Sequence, residues 1–149
     1  LIFAGPPNPQ KHLELKPVTE GKTDVDKIYI NKTNIAGILK KMLYKYKEGK
    51  KTEVFPGYWI EKKSFLSLIN ELQEQGKNLY ILDPDGGDIR KIDIKENPVF
   101  ILGDHSGIPK KELRRLKKIC APVSIGKMTY FASQTIAIVN NELDRRGLI

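Results

Sequence analysis

Asp104, His105 and Ser106 stand side by side in "GDHSGIP", directly after the apolar run "NPVFIL". A carboxylate, an imidazole and a hydroxyl are the groups from which hydrolases build a proton relay. Their spacing argues against a relay here. Consecutive residues of an extended chain point to opposite sides, so three neighbours cannot pass a proton among themselves. A nucleophile elbow would also require Gly-x-Ser-x-Gly. A small-molecule hydrolase using His105 and Ser106 with a distant partner is the outlying alternative. The structural alternative is a Gly-rich turn in which Asp104 caps main-chain amides. Against that, Gly103 and Gly107 would let a ligand approach the main chain closely. His12, His105 and Cys120 are too scattered for paired metal-ligand spacing, so no metal is expected. Gly86-Gly87 lacks the further glycines and the Lys-Ser/Thr of a phosphate loop.

A second segment, "VSIGKMTYFASQT", sets Gly126, the thioether of Met128 and the ring of Tyr130 just ahead of a helix. Uncapped amides there suit the polar edge of a flat, uncharged ring, although core packing is the commoner role of such side chains.

The elements that must position these residues are legible in outline. "LIFAG" and "HLELKPV" read as strands, and residues 20–26 as a loop. "NKTNIAGILKKMLYKYKEG" reads as a helix capped at Thr33 or Asn34, with an apolar stripe at Ile35, Ile38, Leu39, Met42 and Leu43 and a stop at Gly49. "TEVFPGYWI" looks like a proline-broken connector. "KKSFLSLINELQEQG" is a helix with Phe65, Leu68, Ile69 and Leu72 on one face, closed by Gly76. "NLYILD" is a strand running into the turn "PDGGD", and "IRKIDIKE" a short exposed strand. "NPVFILG" is continuously apolar, as a strand covered on both faces should be. "PKKELRRLKKIC" is a basic helix, "PVSIG" a last strand, and Phe131 to Arg146 a closing helix with Ile136, Val139 and Leu143 inward.

Helices and strands alternating through the second half predict an α/β fold: a parallel sheet with helices on both faces. In such sheets ligands bind beyond the carboxyl ends of the strands. Three places qualify: Leu82-Asp83, Gly103-Asp104 and Ile125-Gly126. The simplest organisation is a single domain over 1–149.

At 149 residues, 40% hydrophobic and 30% charged, the composition is that of an ordinary globular chain. No apolar run reaches the length of a membrane span. One cysteine fits a reducing, cytoplasmic setting. The chain opens on Leu-Ile-Phe rather than Met, so an N-terminal segment is expected to be missing. The net charge of +8 gathers in "KKMLYKYKEGKK" and "PKKELRRLKK". A basic surface of that size attracts nucleic acid through phosphate neutralisation, or is simply a solvated, Lys-rich face.

The run from "NLYILDPDGGDIRKIDIKENPVFILGDHSGIPKKE" to "VSIGKMTYFASQTIAIVNNELD" resembles the C-terminal half of archaeal tRNA pseudouridine-54 N1-methyltransferases. These are RNA methyltransferases of the SPOUT class, with the Emg1/Nep1 enzymes of ribosomal RNA as cousins. "NPVFILGDHSGI" is the most specific element. The resemblance implies a C-terminal trefoil knot, a homodimer, S-adenosylmethionine as cofactor and RNA, tRNA above all, as partner. It implies cofactor contacts at Leu82, Gly103, Ile125, Gly126, Lys127, Met128, Thr129, Tyr130 and Thr135. Gly126-Lys127-Met128 and Ser133-Gln134-Thr135 depart from the family pattern. The alternatives are therefore an rRNA methyltransferase of the Emg1/Nep1 type or an RNA-binding member without catalysis.

Methyl transfer to N1 of a pseudouridine needs in-line alignment of nitrogen, carbon and sulfur, and an acceptor for the imide-like proton. Asp104 is the candidate base or orienting group, with His105 second. Lys40, Lys41, Lys110, Lys111, Arg114 and Arg115, with Lys117 and Lys118, are the candidates for phosphate contacts that position RNA without reading it. A base inside folded RNA must leave its stack to react, and Tyr130 or Phe131 could receive it.

Overall fold

The computed structural model describes residues 1–3, 9–16, 33–104 and 106–149. The chain divides into two compact units, Leu1–Asn70 and Glu71–Ile149.

In the first unit, strands β1 (Ile2–Phe3) and β2 (Lys11–Leu15) precede helix α1 (Ile35–Tyr44), and strands β3 (Thr52–Phe55) and β4 (Tyr58–Lys62) follow it. The four strands form an antiparallel sheet in the order β1-β2-β4-β3. The stretch expected to be a connector, "TEVFPGYWI", is instead a hairpin. Pro56 presets the first turn position and Gly57, at φ +80, takes the left-handed second one. The Gly57 N–H donates to Glu53 Oε1 at 2.8 Å, which ties the turn to its own strand. The proline therefore sits in the reversal, where no ladder bond is lost.

The helix stripe is as expected in direction: Ile38 and Met42 are buried, and Ile35, Leu39 and Leu43 are half-buried. Ile38 and Met42 form the core of this unit with Leu13, Tyr58 and Ile60, and Leu39 and Leu43 pack against it. The helix ends at Tyr44 rather than at Gly49, the Lys45 N–H reaching Lys41 O and Met42 O at 3.1 Å. At the sheet surface, Lys16 and Lys51 each approach a Glu14 oxygen at 2.8 Å, and these contacts hold its carboxyl down at about 2. The loop expected at residues 20–26 lies outside the described residues, as do the ends of "LIFAG" and "HLELKPV".

Helix α2 (Phe65–Glu74) runs across the division between the units. Ile69 is its buried residue, with Phe65, Leu68 and Leu72 half-buried beside it. Gly76, at φ +72, closes it as expected, the Lys77 N–H turning back to Leu72 O at 3.0 Å.

The second unit holds β5 (Asn78–Asp88), β6 (Pro98–Ile101), α3 (Lys110–Leu116), β7 (Ala121–Ser124) and α4 (Ala132–Arg145). Its sheet has the order β6-β5-β7, with both pairings parallel. An α/β fold with a parallel sheet is thus what the alternation predicted. Three local expectations are corrected. First, β5 does not stop at Asp83: "PDGGD" bulges the strand without reversing it, and Val123 is paired first with Leu82 and again with Gly87. Second, "IRKIDIKE" is not a strand. Its Lys91 and Ile92 amides fold back to Asp88 O at 2.8 and 3.0 Å, and Ile89 and Ile94 enter the core. The alternation read there marks the anchors of an irregular loop, which Arg146 fixes by donating to Ile92 O and Ile89 O. Third, Ile136 is half exposed, and the buried stripe of α4 is Thr135, Val139 and Leu143. The basic helix α3 also ends at Leu116, short of Cys120.

The core of this unit is Tyr80, Ile89, Ile94, Val123, Val139 and Leu143. Tyr80 stacks on Phe100 with ring centroids 5.1 Å apart, and its hydroxyl accepts the Lys95 N–H at 2.9 Å. Among the described residues no helix is long and apolar enough to cross a membrane.

Candidate cofactor site

A groove of about 350 Å³ opens in the second unit between the sheet and α4. Leu82, Phe100 and Leu102 line it from β5 and the end of β6; Thr135, Ile136, Val139 and Asn140 line it from α4. The walls are mostly apolar, with the Thr135 hydroxyl and the Asn140 amide as polar handles. A mostly apolar lining with a few polar groups is the usual make-up of a small-molecule site. Of the residues expected to contact a cofactor, Leu82 and Thr135 line this groove. Ile125 packs on the same apolar cluster as Leu82 and Phe100. Sequence reasoning missed Phe100, Leu102, Val139 and Asn140. The first two lie inside the run singled out as most specific, but their facing could not be read from a continuously apolar stretch.

Gly103 follows Leu102 in the chain and is not among the residues that line the groove. A β-carbon there would meet the Gly107 carbonyl carbon at 2.6 Å and Ile108 N at 2.7 Å. Its own turn fills the space that the sequence suggested was reserved for a ligand. Gly107, at φ +76, supplies the left-handed turn residue. Asp104 Oδ1 accepts the Ser106 N–H at 2.8 Å, and Asp104 O accepts the Gly107 N–H at 2.9 Å. Asp104 thus caps the turn. Its carboxylate is exposed, and Oδ2 has no partner among the described residues. His105 lies outside the described residues.

The loop from β7 to α4 is open to solvent. Gly126, at φ +143, lies under the Tyr130 hydroxyl, and its N–H donates to Ser124 Oγ at 3.2 Å. The amides of Lys127, Met128, Thr129 and Tyr130 donate to no acceptor among the described residues. Met128 is 73% exposed and Phe131 79%, so neither is core. The Phe131 amide is capped by Gln134 Oε1 at 3.0 Å, which starts α4.

Asp83, next to Leu82, is buried where the bulge of β5 begins. It is paired with the Lys117 ammonium and accepts the Asp85 N–H at 2.9 Å. The Lys117 hydrogen bond holds its carboxyl below the usual carboxylate range against the opposing effect of burial. Cys120 is buried, and burial pushes its thiol up to about 11, leaving it a poor nucleophile. Among the described residues no group of three His, Cys, Asp or Glu is placed to hold a metal ion. Lys110, Lys111, Arg114 and Arg115 are exposed on α3 of this unit, and Lys40 and Lys41 are exposed on α1 of the other.

A family model described as "Putative SAM-dependent RNA methyltransferase" matches residues 1–148. The chain belongs to this family. The tRNA (pseudouridine(54)-N(1))-methyltransferase of Methanocaldococcus jannaschii is 33% identical over 154 residues, covering 99% of this chain and 72% of that protein. An Alcanivorax borkumensis protein named "Putative pseudouridine methyltransferase" is 40% identical over 92 residues, which is 61% of this chain. That match covers 46% of the bacterial protein, so the chain spans about half the length of this relative. Among solved structures, Archaeoglobus fulgidus Nep1 bound to S-adenosylhomocysteine is similar over 77% of this chain and 51% of that one. With 20% identity and a TM-score of 0.49, that likeness carries no further argument.

Proposed function

We propose that this chain carries an S-adenosylmethionine-dependent methyltransferase that modifies N1 of pseudouridine-54 in the T-loop of tRNA, in the cytoplasm. The observation that carries the reading is the identity to an archaeal enzyme of that name along 99% of the chain.

The groove and the β7–α4 loop offer chemistry suited to the cofactor. Leu82, Phe100, Leu102 and Val139 offer apolar walls to an adenine ring, and the free amides of Lys127 to Thr129 offer donors to its polar edge. When bound, S-adenosylmethionine supplies an electrophilic methyl group on a sulfonium. The protein's part is to hold the target nitrogen in line with it and to take a proton. Asp104 suits the role of proton acceptor, because the Ser106 amide fixes one carboxylate oxygen and leaves the other for the N1 proton.

Two structural expectations belong to the same reading. The C-terminal chain forms a trefoil knot, an expectation that rests on membership of the family whose model matches residues 1–148. Two copies pair, and the exposed apolar side chains of Met128 and Phe131 offer surface for that contact.

Calorimetry with S-adenosylmethionine should show saturable binding, and nucleoside mass spectrometry of a pseudouridine-containing tRNA should show N1-methylpseudouridine after incubation. Absence of both overturns the proposal. Asp104→Asn keeps an oxygen for the Ser106 amide but loses the base. It should lower turnover by about 100-fold with cofactor affinity unchanged. Equal turnover would remove Asp104 from the chemistry.

A further inference from the structure

The outer face of α1 carries a feature that neither the cofactor groove nor the fold explains. The helix buries Ile38 and Met42. Gly37, Lys40, Lys41 and Tyr44 follow the i, i+3, i+4, i+7 spacing that brings side chains onto one stripe, and all four are exposed. Tyr44 is 85% exposed, the most open of the large apolar side chains among the described residues, and takes no part in the core cluster of its unit.

We propose that this face of α1 is an RNA contact surface in which Tyr44 stacks on an unpaired base of a loop while the surrounding lysines take the flanking phosphates. The proposal rests on the RNA methyltransferase reading for the identity of the ligand and extends it to a second surface.

Charge is the first support. Between Thr33 and Lys51 six lysines stand against the single carboxylate of Glu48. Lys41 is drawn over the Phe55 ring at 5.0 Å, and Lys51 is occupied by Glu14 and by the Trp59 ring at 5.6 Å. Lys40, Lys45 and Lys47 form no ion pair among the described residues, so their charge is available to a polyanion. The second support is Gly37. Glycine is the weakest helix former after proline, yet no atom lies within 4 Å of where its β-carbon would stand. Nothing among the described residues explains the missing side chain. A bare patch two turns from Tyr44 lets a sugar–phosphate strand lie against the helix. The third is the aromatic itself. A ring set among cations is the usual platform for single-stranded nucleic acid, because every base has a face to stack.

The test uses the full chain and an RNA stem-loop carrying 2-aminopurine in its loop, with a duplex of matching length as control. Wild type should quench the loop fluorophore. Tyr44→Ala should abolish quenching and weaken stem-loop binding by about tenfold, with duplex binding nearly unchanged. Tyr44→Phe should restore both. Lys40→Gln with Lys45→Gln should weaken both RNAs and flatten the salt dependence by roughly one phosphate per lysine. Binding of S-adenosylmethionine, measured in parallel, should stay at the wild-type value in every variant. Unchanged stem-loop affinity in Tyr44→Ala, or an equal loss for duplex, overturns the proposal. A fall in sedimentation mass of Tyr44→Ala would assign the face to a second copy and overturn it also. If wild type methylates RNA while Tyr44→Ala matches it, only this surface fails. If wild type binds neither cofactor nor RNA, the methyltransferase reading fails with it.

Discussion

Asp83 occupies the place where the bulge of β5 begins. A buried carboxylate there would be costly alone, so Lys117 reaches in from the C-cap of α3 and the Asp85 amide closes the remaining contact. Because its carboxyl is held below the usual range, Asp83 contributes stability that is complete above the ordinary carboxylate pKa. That contribution is lost as pH falls through the depressed folded value. Asp83→Asn should therefore cost about 1–2 kcal/mol at neutral pH, a figure discounted because Lys117 is 41% exposed. Urea melts should show the difference from wild type shrinking as the solution is made more acid than the ordinary carboxylate range. A difference that is constant with pH would show that the ion pair is not its source. Asp83 was read as a strand end, whereas β5 runs on past it to Asp88, and neither its burial nor its partner could be read, since Lys117 looked like one more surface lysine. Asp104 was the reverse: both its candidate roles were written in "GDHSG", and the Ser106 contact shows that capping leaves an oxygen free.

At the scale of elements, the bulge in β5 departs furthest from the sequence reading. "PDGGD" has the composition of a reversal, and sequence reasoning ended the strand there. What overrides that local preference is β7, which pairs with β5 on both sides of the bulge. Gly86 makes the approach possible: a β-carbon there would run into the main chain of Pro122 and Val123. Gly86→Ala should force β5 and β7 apart, costing about 1–3 kcal/mol and weakening cofactor binding more than Asp83→Asn does. Thermal melting with and without S-adenosylmethionine would measure both effects. An unperturbed Gly86→Ala would mean that the bulge relaxes freely. The hairpin at Pro56-Gly57 is the opposite case. Its turn chemistry was present in the letters, but the flanking "TEVF" and "YWIEK" reveal strands only when each has the other to pair with.

For the molecule as a whole, charge is the property that composition states outright. With a net charge of +8, RNA affinity should fall linearly in log–log form as salt rises, with a slope near −0.7 to −0.9 per phosphate neutralised. Filter binding at several salt concentrations would measure it, and a flat dependence would remove the basic faces from RNA recognition. This charge, the alternation of helix and strand in the second half, and the motif run that points to the family could all be read from the letters. Those are local or additive properties, legible without knowing what touches what. Folding was needed to show that the first unit is an antiparallel sheet and the second a parallel one. It was needed too for the groove shared by Leu82, Leu102 and Thr135, for the pairing of Lys117 with Asp83, and for the place of Tyr44 outside the core. Each of these depends on contacts between residues far apart in the chain, and periodicity carries no record of distance.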